Sequence, residues 1–244
     1  MIIIFCGNVG AGKTLQAVRH MQKTPWVQYY TNIKTTGLPN VHPLTYDMII
    51  KKEDTGKVAK GQPVYEYKLN KEFWENVPKP VSVILDEVHN ILSSRSSMSH
   101  VNKIATKWLS LLRKMVGQND TGYGDLICIT QLSGSADVIL RNMAHQVAYF
   151  INFYKKHCRT CQWTWKENSD MAEQRTTCKR CGGHDLYKSD FRTLMLKFSS
   201  VNSFDMWKMY KDPRIPYVNR WIKGSEKYFK NYETLQIDDL FSDY

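Results

Sequence analysis

The chain has 244 residues, 42% of them hydrophobic and 23% charged, which suits one full α/β domain with a small appendage and excludes a disordered or fibrous protein. No run reaches the ~18 consecutive apolar residues of a membrane span, and Met1-Ile2-Ile3-Ile4-Phe5 lacks the basic region and cleavage site of a signal peptide, so the expectation is a soluble, cytoplasmic protein. The net charge of +11 favours polyanionic partners, because a Lys or Arg set on a phosphate releases counterions, although solubility alone also accounts for it.

In chain order, residues 2–6 form an apolar run that predicts a buried strand. A glycine-rich loop follows, then a helix predicted from Lys13 to about Gln22. Tyr29–Ile33 predicts a second strand, whereas Leu38–Gly61, rich in Pro, Gly, Lys and Thr, predicts irregular chain. Val81–Leu85 predicts a third strand, ending in Asp86-Glu87. Ile104, Trp108, Leu111, Leu112 and Met115 recur at helical spacing, and Leu126–Thr130 predicts a fourth strand leading into Gln131. Strands and helices alternate, and the strands are continuous apolar runs, as expected for strands buried on both faces. The fold class is therefore α/β, a mainly parallel sheet flanked by helices. Strand-like runs at Val147–Tyr154 and Phe191–Phe198 bracket a cysteine cluster. The expected organisation is a core over 1–154, an insertion over 155–190, a return to the core over 191–222 and a tail over 223–244 that ends acidic.

Gly7-Asn8-Val9-Gly10-Ala11-Gly12-Lys13-Thr14 matches the phosphate-loop pattern G-x-x-x-x-G-K-[ST] at every fixed position, after a strand and at the opening of a helix. Its glycines let backbone N–H groups and the helix N-terminus face phosphates. Lys13 is expected to reach the β- and γ-phosphates and the Thr14 hydroxyl to ligate Mg²⁺. The charge of Asp86 falls at a strand's C-terminal edge, where open α/β sheets bind ligands, so Asp86 is the second candidate Mg²⁺ ligand. Glu87 is the candidate general base for the attacking water, which favours hydrolysis of ATP over phosphoryl transfer by a kinase. The bland alternative is that Asp86-Glu87 caps the following helix. Gln131 is a candidate for orienting that water or sensing the γ-phosphate, the alternative being a solvated turn. Arg141 and Arg113 are candidate arginine fingers for a neighbouring subunit's site, or ordinary surface arginines.

Of the six cysteines, Cys6 and Cys128 lie in apolar runs and are expected to be inert core residues. The other four form two C-x-x-C knuckles, Cys158/Cys161 and Cys178/Cys181, separated by sixteen residues, the spacing of a structural zinc ribbon with a closed four-thiolate Zn²⁺ shell. Two disulfides are the alternative, disfavoured in a reducing compartment. His157 and His184 flank the knuckles as weaker alternative ligands. Residues 155–192 carry nine Lys/Arg against five Asp/Glu, with Trp163 and Trp165 between the knuckles. That composition suits contact with nucleic acid, and a protein-docking role fits nearly as well.

Taken together, GNVGAGKT at 7–14, TNIK at 31–34, VILDEVHNIL at 83–92, LLRK at 111–114, ICITQLSGSADVILRNM at 127–143 and FDMWKMYKD at 204–212 resemble the zonular occludens toxin-like (Zot-like) ATPases of the FtsK–HerA superfamily, which includes viral genome-packaging motors. The resemblance covers roughly residues 1–150, with an echo at 204–212. Its more discriminating parts are the spacing from Asp86-Glu87 to Gln131 and the step from Asp137 to Arg141. It implies a RecA/FtsK-like P-loop NTPase fold in which Gln131 is the polar sensor. It also implies a homo-oligomeric ring, often a hexamer, with ATP at the subunit interfaces and DNA, expected to be double-stranded, in the pore. Two features depart from the family: no apolar span follows the ATPase-like region, and the zinc ribbon is not a standard part. The first favours a soluble motor that packages viral DNA, in host cytoplasm or with the virion and beside a capsid or portal-type partner, over extrusion at a membrane. The competing expectation is a nucleotide-dependent assembly or adaptor protein whose zinc ribbon docks a partner.

Overall fold

A computed structural model describes residues 1–59, 61–88, 100–116, 124–131, 138–171 and 175–232. Its main sheet is built from β1 (Ile2–Cys6), β2 (Gln28–Thr31), β3 (Val41–Pro43), β6 (Val81–Leu85), β7 (Leu126–Ile129), β8 (Gln146–Cys158), β9 (Thr164–Asn168), β10 (Leu186–Phe198) and β11 (Val218–Lys223). The strand order is β11-β10-β8-β1-β7-β6-β2-β3, with β9 paired to β8. From β3 across to β8 all neighbours are parallel, while β9, β10 and β11 join antiparallel. The sheet is mixed and mostly parallel, an α/β arrangement.

Alternation along the strands explains the apolar runs. Ile2, Ile4 and Cys6 of β1 and Leu126 and Cys128 of β7 point to one face, whereas Phe5, Ile127 and Ile129 point to the other. The second face is covered by α1 (Lys13–Lys23) through Ala17, Val18 and Met21. The first face is covered by α2 (Tyr46–Ile49), α3 (Lys71–Asn76), α4 (His100–Val116) and α5 (Val138–Met143), and beside β8 and β10 by α6 (Val201–Tyr210) through Val201 and Phe204. A strand with helices on both sides has no face to leave polar, so its sequence reads as unbroken hydrophobicity. Cys6 and Cys128 are fully buried in these layers, and burial pushes both thiols up, Cys6 to about 12. Neither is a nucleophile at neutral pH.

One segment departs from expectation. The stretch predicted to be irregular contains β3, α2 and a long strand β4 (Ile50–Ala59), which pairs antiparallel with β5 (Gln62–Leu69) as a separate hairpin. Its outer half is solvated, so it lacks the apolar alternation that marks a strand. Cross-strand contacts hold it instead, with Lys68 donating to Glu53 at 2.9 Å and Lys52 lying 3.8 Å above the Tyr65 ring. At the other end of the chain, a short 3₁₀ turn over Glu226–Asn231 straps the outside of α1, where Gln16 Nε2 donates to Ser225 Oγ at 3.1 Å. Among the described residues no helix is long and apolar enough to cross a membrane.

Trp74 of α3 and Trp108 of α4 are both fully buried, with ring centroids 5.6 Å apart. Trp108→Ala is expected to lower unfolding stability by about 3–5 kcal/mol in urea denaturation. Trp108→Phe should cost much less, because the buried indole Nε1 has no acceptor among the described residues.

Candidate nucleotide and metal sites

The strand order gathers the site. β7 lies between β1 and β6, and all three run the same way, so the loops leaving their C-terminal ends emerge side by side. After β1 comes the loop 7–14, after β6 Asp86-Glu87, and after β7 Gln131. The middle position of β7 gives Gln131 contact with both neighbours: its carbonyl accepts from the Gly7 N–H at 3.4 Å, and its Nε2 donates to Glu87 Oε1 at 3.3 Å.

The loop turns on its glycines. A Cβ added at Gly7 would sit 2.5 Å from the carbonyl oxygen of Phe150, so no side chain fits there. Gly12 caps α1 in the left-handed region, φ 85°, a conformation glycine adopts without strain. The Lys13 side chain is buried and folds back into the loop, donating to the carbonyls of Gly7 at 2.9 Å and Asn8 at 3.2 Å. Burial lowers its amine pKa, and the charges of Glu87 and Asp86 oppose that shift. The Asn8 side chain donates to the Ser169 carbonyl at 3.1 Å, and Asn152 of β8 donates to the Gly10 carbonyl at 3.2 Å. The loop is thus tied to β8 and to the turn after β9. Val9 and Ala11 complete it, the first exposed at its rim and the second buried under Phe150.

Asp86 is held from three sides. Thr14 Oγ1 donates to Asp86 Oδ2 at 2.7 Å, and the Glu87 N–H donates to Asp86 Oδ1 at 2.9 Å. Asn32, just past β2, brackets the Asp86 backbone, donating to its carbonyl at 2.9 Å and accepting from its N–H at 2.7 Å. Burial raises the Asp86 pKa; the Thr14 bond works against that shift and the Glu87 charge adds to it. Glu87 has φ 48°, a left-handed backbone that non-glycine residues rarely adopt. A hydroxyl and a carboxylate that touch at the mouth of a glycine loop fit a divalent cation of oxygen-ligand preference. The buried Lys13 amine, among N–H groups at a helix start, fits a polyphosphate.

Other candidates fall elsewhere. Arg141 on α5 forms an ion pair with Asp205 on α6. The side chain of Arg113 and the whole of Asp137 lie outside the described residues, as do 89–92 and 132–136 of the resembling motifs and the acidic end of the tail. Sequence reading passed over Asn32, Asn152 and Tyr232 as site residues. The Tyr232 phenol is pushed up to about 12 by burial and by the nearby Asp86 charge. The available signal for Asn32 was its polar side chain directly after an apolar strand.

The four cysteines converge at the far end of β8. The Sγ atoms of Cys158, Cys161, Cys178 and Cys181 all lie within 4.8 Å of one another, with Cys158–Cys181 and Cys161–Cys178 each at 3.6 Å. A disulfide needs about 2.05 Å, so these are free thiols. Four sulfurs around one ion at Zn–S of about 2.3 Å stand ~3.8 Å apart, close to the observed spacing. The thiols act on one another: the backbone N–H of Cys161 helps pull the Cys158 thiol down, while burial and the neighbouring thiols push that of Cys161 up. The cluster is compatible with metal binding. Both nitrogens of His157 are engaged elsewhere, Nε2 with Ser189 at 2.6 Å and Nδ1 with Thr164 at 2.9 Å, and His184 is exposed outside the cluster. β8 continues unbroken from the sheet core to Cys158, so the knuckles sit at the tip of a core strand.

Two outcomes follow from this geometry. The raised Asp86 pKa means that the carboxylate destabilises the ligand-free fold: that stability is fully present below the unfolded pKa and is lost as pH rises through the folded one. Asp86→Asn keeps the shape, can still accept from the Glu87 N–H, and removes the partly desolvated charge. The variant should therefore unfold at equal or higher urea than the parent at pH 7 while losing Mg²⁺-dependent nucleotide affinity, measured by titration calorimetry. Metal analysis of the reduced protein is expected to find one Zn²⁺ per chain, absent from a Cys158→Ser/Cys181→Ser variant; two disulfides with no metal in the parent would overturn that assignment.

No protein-family model and no curated protein matches the sequence. Among solved structures, the N-terminal domain of zonular occludens toxin from Neisseria meningitidis is similar at 17% identity and a TM-score of 0.48, over 95% of this chain and 98% of that one.

Proposed function

We propose that the chain is an ATP-hydrolysing P-loop motor that acts on DNA, working as a ring in genome packaging or DNA translocation. The observation that carries the hydrolytic part is the contact between Thr14 and Asp86 at 2.7 Å, with Glu87 next in sequence and within reach of Gln131. Thr14 and Asp86 would hold Mg²⁺, which when bound neutralises charge on the β- and γ-phosphates. The backbone N–H groups of residues 8–14 and the start of α1 bind the phosphates. Lys13 exchanges its carbonyl partners for phosphate oxygens and compensates their charge. Glu87 takes the proton of the attacking water at its carboxylate, and Gln131 Nε2 orients that water or reports the γ-phosphate to β7. Glu87 and Gln131 already meet, so the base and the sensor are held at one point. The DNA part rests on the net charge and on the motif resemblance, with Arg141 as the candidate finger between subunits. In that role Arg141 must leave Asp205.

The adaptor reading draws on a different observation. Trp163 and Trp165 stack at 5.1 Å beside the cysteine centre, a pairing that suits a docking knob for protein. On that reading the nucleotide site is a slow switch.

Steady-state ATP hydrolysis, with and without DNA, separates the two. The expected result is measurable turnover, stimulated several-fold by DNA and lost in Glu87→Gln while nucleotide binding persists. Negligible turnover that DNA does not change would leave the adaptor as the better account.

A further inference from the structure

The sheet face that carries α6 runs on past that helix, and its uncovered part has a distinct chemistry. Strand register aligns Lys223 of β11 with Arg192 of β10, Arg192 with Phe153 of β8, and Lys155 of β8 with Lys166 of β9. Trp221 stands two residues before Lys223. Side chains alternate between faces along a strand, so these six share one face, opposite the buried Ile222. They line a cavity of about 530 Å³. Its aromatic wall is Trp221, 52% exposed, against Phe153 with centroids 5.2 Å apart. An exposed indole on a well-formed strand, walled by cations, is not explained by packing of the fold.

The charge is as one-sided as the shape. Lys155 is engaged by Asp190 at 2.6 Å. The other carboxylate at the cavity, Glu167, is buried and committed to Lys156 at 3.2 Å and to the Trp165 indole at 2.6 Å. Among the described residues, no carboxylate lies within 4.0 Å of the charged nitrogens of Lys166, Arg192 or Lys223. Asp190, held by Lys155, also feels the Arg192 charge without contacting it. Three cations with no carboxylate in contact, around an aromatic step, match a ligand that alternates anionic groups with flat rings. A duplex buries its ring faces in its own stack and offers only phosphates, whereas a single strand offers both.

We propose that this face binds a segment of single-stranded nucleic acid, with a base stacked on Trp221 against Phe153 and flanking phosphates on Lys166, Arg192 and Lys223. The proposal rests on the DNA-directed function only for the kind of polyanion, and it replaces the expected double-stranded partner at this surface with an unpaired strand. The site is separate from the nucleotide loop: Phe153 points to the opposite side of β8 from Asn152, which holds the Gly10 carbonyl.

The test is fluorescence anisotropy of a labelled twelve-nucleotide oligo-dT, with no nucleoside triphosphate present, using the zinc-loaded full chain. The comparison ligands are an abasic oligomer of the same length and a duplex. Expected are tighter binding of oligo-dT than of either comparison ligand, and a loss of about tenfold or more in Trp221→Ala, the worth of one stacked base. Trp221→Phe should restore most of that loss. Arg192→Glu and Lys223→Glu should each flatten the slope of log affinity against log salt by about 0.7 per phosphate contact removed. Circular dichroism and urea unfolding check that each variant is folded. Equal binding of abasic, duplex and oligo-dT, or an unchanged affinity in folded Trp221→Ala, overturns the proposal, and so does the absence of binding. The proposed ATPase is scored separately, by the DNA-free turnover of the parent chain, so that a failure of strand binding and a failure of hydrolysis are read independently.

Discussion

The half-buried carboxylate of Asp86 is the constraint around which the nucleotide end of the molecule is organised. A charge that loses most of its water is tolerated only where donors surround it. Here the donors come from three chain segments: the Thr14 hydroxyl, the Glu87 N–H and, through the backbone, Asn32. Each donor fixes an element. The Thr14 bond ties the first turn of α1 to the end of β6. The Asn32 bracket ties β2 to the same point, and the Glu87 N–H bond accompanies the left-handed backbone that turns the Glu87 side chain toward Gln131. The cost of the buried charge remains as a raised pKa, a bias that a divalent cation would reverse.

Much of this was legible in the sequence because the physics was local. The run Ile2–Cys6 followed by a glycine loop and a helix, and the run Val81–Leu85 ending in two acids, each declare a strand by hydrophobic continuity and a site by the first residue that breaks it. The knuckle spacing declares its own convergence, since two C-x-x-C turns need only a hairpin to meet. What sequence could not supply were facts of tertiary register. That Gln131 touches both neighbours depends on β7 lying between β1 and β6, an order that no local pattern encodes. The hairpin of β4 and β5 went unread because most of its residues face water, so the alternation that signals a strand was absent and Gly56 and Gly61 looked like loop. Asn152 and Tyr232 reach the nucleotide end from far along the chain, by way of β8 and of the strap over α1.

β8 is the longest link between the parts. It begins beside β1, passes the glycine loop at Phe150 and Asn152, and ends at Cys158 in the cysteine cluster. β9 returns alongside it and closes on the loop, where the Ser169 carbonyl accepts from Asn8 and Asp170 accepts from the Tyr149 hydroxyl at 2.8 Å. A closed four-thiolate shell at the tip would hold the two returning strands together where they leave the sheet and have least support. A metal bound there would brace the strand that the loop leans on.

The pleat decides how that strand is used. Adjacent residues point to opposite faces, so Asn152 meets the loop while Phe153, one peptide away, opens onto the basic and aromatic cavity. Two ligands of different chemistry can therefore be served by one stretch of backbone without competing for space. Ladder bonds to β10 and β9 hold the stretch near Phe153 from both sides, so a ring drawn toward Trp221 cannot move alone. Any displacement of that backbone is shared at once with the Gly10 carbonyl. The basic and aromatic face on one side and the glycine loop on the other therefore lean on the same stretch of paired backbone.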